Sequence, residues 1–150
     1  MKTASGKELR QTGMHRLAEL YWELVYTGLA QGDLRDHALR QALSYANDAL
    51  LTAPLDTGLW FLKGRILNEM KRHDDAYQIF GMAIAHGFPE SRALPYIAEI
   101  AFNRRDYRTV RDLLSRISIL QVTPRMKGAI RYWVGQGASE GVPPAKGIGP

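Results

Sequence analysis

Residues 60–80 read WFLKGRILNEMKRHDDAYQIF, two helix-spaced apolar runs on either side of the polar break Arg72-His73-Asp74. The first run carries a glycine, Gly64, in the middle of its apolar stripe. A glycine inside a helix costs roughly 1 kcal/mol relative to alanine. Something must offset that cost: a neighbour packed against the bare backbone, or a ligand that approaches there.

Outward from this stretch, helical spacing continues in both directions. Leu17, Leu20, Tyr21 and Leu24 share a face, as do Ile79, Phe80, Ala83 and Ile84, and then Val110, Leu113, Leu114 and Ile117. Alternating β-branched runs between turn residues are nearly missing. Punctuation falls at Gly32-Asp33, Ala53-Pro54, Gly87-Phe88-Pro89, Arg105-Asp106 and Thr123-Pro124. The pattern predicts an all-α chain, with helices near 15–31, 35–52, 57–70, 74–86, 91–103, 107–119 and 124–135.

An internal period organises these helices. Gly64 aligns with the small residue Ala98 at an offset of 34, which also pairs Trp60 with Leu94, Ala76 with Val110 and Phe80 with Leu114. Small residues at 64, 76, 83 and 98 let two helices of a hairpin cross closely, and large ones at 60, 80 and 114 fill the space beside them. Each hairpin then leaves an apolar face that the next can bury. Close packing is the favoured reading of Gly64, and Trp60 is expected in the core.

The series Trp60, Gly64, Ala76, Phe80, Ala83, Pro89 resembles the tetratricopeptide repeat signature. It departs from it at Lys63, where leucine is usual, at Leu67, where tyrosine is usual, and at Pro89, one place late. The resemblance spans about residues 18–124. It implies a right-handed superhelical array of about three helix hairpins, in units near 18–56, 57–90 and 91–124, closed by a capping helix at 124–135. Residues 1–14 then form an N-terminal extension, 15–135 the repeat domain, and 136–150 a Gly/Pro-rich tail.

In such arrays the first helix of each hairpin lines a concave groove. Carried onto this chain, the groove places hold Trp22, Glu23, Tyr26 and Leu29, then Phe61, Leu62, Arg65, Asn68 and Glu69, then Arg92, Tyr96, Glu99, Phe102 and Asn103. A row of aromatics flanked by a few charges suits an extended or helical peptide with apolar anchors. The alternative is that these rings are covered by the N-terminal segment, the tail or a partner subunit. The Lys/Asn/Arg clamp by which some members of the family grip a chaperone carboxyl terminus is broken here, with Leu62, Arg92 and Tyr96 at the relevant places. Length and repeat number look similar to small repeat chaperones and assembly adaptors of bacterial secretion systems.

The remaining features bound the function. Cysteine is absent, which excludes a disulfide scaffold, a zinc-thiolate site and a thiol nucleophile. The segment MKTASGKELRQTGMHR has no apolar signal core, and no run reaches membrane-spanning length, so the chain reads as cytoplasmic. His15, His37, His73 and His86 show no metal-ligand spacing, no nucleotide or hydrolase motif occurs, and neither catalysis nor a cofactor is expected. Residues 1–90 carry 10 Lys+Arg against 11 Asp+Glu, whereas 91–134 carry 9 against 3. The basic surplus of the last third includes Arg104, Arg105, Arg108 and Arg111, a solvated helix face or a patch for nucleic acid or an acidic surface. A protein-binding module is the favoured reading, and a regulatory factor using that patch the alternative.

Overall fold

The computed structural model describes residues 6–116 together with 128, 131 and 132. Among the described residues there are six helices and no strand: α1 Gly6–Tyr26, α2 Asp33–Thr52, α3 Thr57–Glu69, α4 His73–Ala85, α5 Glu90–Asn103 and α6 Tyr107–Leu114. The chain divides into two compact units, 1–88 and 89–150. The division falls two residues before the end of the second expected repeat unit, 57–90. Of the expected capping helix, Gly128, Arg131 and Tyr132 are helical, and the rest of it, like the tail 136–150, lies outside the described residues.

In the first unit α1 packs on α2, α2 on α3, and α3 on α4. The central helix α2 turns Ala38, Ala42, Ala46 and Ala49 inward, all buried, so both neighbours can approach its backbone. Tyr21 of α1 stacks on Tyr45 of α2 with ring centroids 5.8 Å apart. In the second hairpin Gly64 and Phe80 face each other, each eight residues from Arg72. That symmetry about the turn means α3 and α4 run antiparallel. Helix α1 starts well before the expected residue 15, so residues 6–14 continue the helix instead of forming a separate extension. They lack an apolar stripe, but Lys7, Glu8, Leu9, Arg10 and Gln11 are good helix formers. The helix also stops at Tyr26 instead of running to 31, because Gly28 adopts a left-handed φ of 77°.

The helices are delimited by local chemistry. Asp56 caps α3, its carboxylate accepting from the Leu59 N–H at 3.0 Å, and Asp106 caps α6 through the Thr109 N–H at 3.2 Å. The turn after α3 recurs after α5. Lys71 and Arg105, 34 residues apart, both take left-handed φ, 62° and 59°. Around them the same backbone bonds form: Arg72 N–H to the Leu67 carbonyl and Asp106 N–H to that of Ala101, both 2.9 Å, with Lys71 N–H to Asn68 and Arg105 N–H to Phe102 inside them. Each is a 6→1 bond enclosing a 5→2 bond, the Schellman termination. The 34-residue spacing of Gly64 and Ala98 is thus also the spacing of two built turns.

In the second unit α5 packs on α6. Pro95 lies within α5 and is buried; it has no N–H to offer the Ser91 carbonyl one turn back. Phe102 of α5 meets Tyr107 of α6 at 5.9 Å between centroids.

Candidate functional site

Of the groove residues expected on the first helices of the first two hairpins, Trp22, Tyr26, Phe61 and Arg65 come together. Trp22 and Tyr26 stand one turn apart on α1, their rings 6.2 Å apart. Arg65 comes from α3, and its guanidinium carbon lies 4.8 Å from the Trp22 ring centre, 5.1 Å from Tyr26 and 6.0 Å from Phe61. A planar, weakly hydrated guanidinium is suited to such stacking, and its edge can donate to carboxylate or carbonyl oxygens. The three rings and one cation form a single cluster within the first unit.

Exposure separates the members of this cluster. Trp22 and Phe61 are 7% and 9% exposed, so they form its floor, whereas Tyr26 is 50% and Leu29 77% exposed. Phe61 also stacks on Phe88, centroids 4.3 Å apart, and lies 5.7 Å from Phe80. It belongs to the core at least as much as to a surface. Leu62 packs, partly buried, against the core of the first unit. Asn68 is buried, its Oδ1 2.9 Å from His73 Nδ1, which ties the end of α3 to the start of α4. Glu69 pairs with Arg35 of α2 at 2.6 Å. These last three hold the hairpins together, and the part of the expected surface that faces outward in the first unit is Glu23, Tyr26 and Leu29, with Arg65 half-buried beside the rings.

In the second unit Tyr96, Glu99 and Phe102 are half-buried on α5, and Arg92 is exposed at its start. Phe102 also meets Tyr132 edge-on at 5.8 Å. Of the basic series, Arg104, Arg105 and Arg108 are exposed around the α5–α6 turn, while Arg111 is half-buried with its Nε 3.5 Å from Asp112 Oδ1. Arg116 pairs with Glu90. Asp106, within the basic turn, is held below the usual carboxylate range, first by the Thr109 hydroxyl, which donates to it at 2.6 Å, and then by the Thr109 N–H.

Trp60, expected in the core, is half-buried, and its indole N–H donates to the Pro54 carbonyl at 2.8 Å. Beside it stands Lys63, one of the three departures from the repeat resemblance. Burial, then the charge of Arg72, lowers its pKa, with Asp75 acting the other way. No sequence motif marks this lysine; the one signal was an ammonium where an apolar side chain is usual.

Among the described residues no group of three His, Asp or Glu side chains is placed to hold a metal ion, and no helix is long and apolar enough to cross a membrane. Compared with family models, curated proteins and solved structures, the chain matches none.

Proposed function

We propose that the chain is a non-catalytic, tetratricopeptide-repeat-like interaction module, a chaperone or assembly adaptor that takes a segment of a protein partner. The observation that carries this reading is the cluster of Trp22, Tyr26 and Phe61 around the Arg65 guanidinium, built by the first helices of two successive hairpins and left half-open at Tyr26. Rigid aromatics beside an arginine are the residue types that dominate protein interfaces. The reading as a right-handed superhelical array rests on the turn repeated 34 residues apart at Lys71 and Arg105, together with Gly64 and Ala98 at the same spacing.

The test is affinity capture from the native host's lysate with the full chain and with Tyr26→Ala, at low and high salt. A single protein retained at high salt by the full chain and lost by Tyr26→Ala is the expected result. Capture of nucleic acid or of many acidic proteins, released as salt rises, would move the function to the arginines of the α5–α6 turn.

A further inference from the structure

A second concavity lies in the first unit, apart from the aromatic cluster. It is a cleft of about 220 Å³ bounded by α2, α3 and the first turns of α4. Its polar wall is made by Asn47, Lys63, Arg72, Asp75 and Gln78. The half-buried Leu43 and Ile79 supply apolar surface.

The charges in this wall do not balance. Arg72 reaches Asp75 through Nε at 2.9 Å and Nη2 at 2.8 Å, both to the same oxygen, Oδ2. A guanidinium has five N–H donors, so this pair leaves most of them to other acceptors. Lys63 sits over the Trp60 ring at 5.5 Å, and among the described residues no carboxylate lies within ion-pair distance of it. Two cations thus share a cleft with one carboxylate. Desolvating an ammonium beside a second cation is unfavourable, and an anion placed between them would relieve it.

We propose that this cleft binds a small organic monoanion, a carboxylate on a short apolar body, gripped by Lys63 and Arg72 with the side-chain amides of Asn47 and Gln78 as further donors. One negative charge neutralises the excess of the wall, whereas a phosphate dianion would be opposed by Asp75. The apolar body would lie on Leu43 and Ile79. The volume is below that of pockets for drug-sized molecules, roughly 300 Å³ and upward, which limits the ligand to a few carbons. This site is independent of the aromatic cluster, and each can fail without the other.

The experiment is an NMR titration of the full chain with butyrate, with inorganic phosphate, and with sodium chloride at matched ionic strength. Butyrate is expected to shift the side-chain amides of Asn47 and Gln78 saturably and to raise the titration midpoint of the Lys63 ammonium. Lys63→Gln should weaken binding about tenfold or more, the loss of one charge-assisted hydrogen bond. Gln78→Ala, at an exposed position that leaves the fold intact, should weaken it to a smaller extent. Shifts that never saturate, that chloride reproduces, or that persist unchanged in Lys63→Gln would overturn the proposal. Tighter binding of phosphate than of butyrate would overturn the assignment to a carboxylate.

Discussion

The ring of Phe80 lies directly on the bare Cα of Gly64. A Cβ added there would stand 2.5 Å from Phe80 Cε1, 2.7 Å from Cδ1 and 3.0 Å from Cζ, and Phe80 is fully buried. The glycine's propensity cost is therefore offset by the close crossing of α3 and α4. Gly64→Ala should destabilise the first unit by about 1–3 kcal/mol despite its better helix propensity. Gly81, on α4, has nothing within 4 Å of its added Cβ. Gly81→Ala should stabilise by up to about 1 kcal/mol. Chemical denaturation of the two variants reads opposite signs if close packing explains Gly64.

Lys71 and Arg105 carry the strain of the repeated turn. A non-glycine residue in the left-handed region costs roughly 1–2 kcal/mol, while a glycine there adds roughly 0.5–1 kcal/mol of unfolded-state entropy. Lys71→Gly and Arg105→Gly should each stabilise by about 0.5–1 kcal/mol net, measured by the urea midpoint. An unchanged or lower midpoint in both would mean that their side chains contribute more to the folded state than the backbone strain costs.

Much of the hairpin architecture was legible in sequence because small and large residues alternate at positions that geometry restricts. Gly64, Phe80, Ala76 and Ala83 announce a helix crossing, and turn punctuation marked the break at Arg105-Asp106, although not the left-handed residues that build it. The first part of α1 was not legible, since residues 6–13 have helix propensity without the apolar periodicity that marks a packed helix. Repeat position placed Trp22 and Phe61 on a groove, but it could not show how deeply Arg65, Phe80 and Phe88 would cover them. Lys63 was visible only as a departure from pattern. Its cleft depends on Asn47 and Gln78, which no local spacing connects.

The cap of α6 gives a pH test with a definite sign. Thr109 lowers the Asp106 pKa in the folded chain, so the cap's contribution is present above the unfolded value near 3.8 and is lost as pH falls through the lower folded pKa. Asp106→Ala should cost about 1 kcal/mol at neutral pH, typical of a lost N-cap, and less in acid, where the native cap is itself weakened. Asp106→Asn keeps an acceptor that does not titrate, so its thermal midpoint should fall less steeply between pH 5 and pH 2, an acid range bracketing roughly that of a free aspartate. Parallel midpoint curves for the aspartate and asparagine chains would show that the Thr109 bonds do not depend on the carboxylate charge.

Tyr26 and Phe61 touch the same guanidinium but should fail in different ways when removed. Phe61 is buried between Arg65, Phe80 and Phe88, so Phe61→Ala leaves a cavity and should cost about 3–5 kcal/mol. Loss of partner capture in that variant would say little about binding, because the second hairpin would be loosened. Tyr26 is half exposed and rests on the rim, stacked on Trp22 and Arg65. Tyr26→Ala should change stability by about 1 kcal/mol or less, the scale of an exposed cation–π contact, while abolishing capture of the partner. Denaturation and pull-down on the same preparations separate the two effects. If Tyr26→Ala unfolds the chain, the ring is part of the core and the proposed surface loses its anchor; if it folds and still captures the partner, binding lies elsewhere.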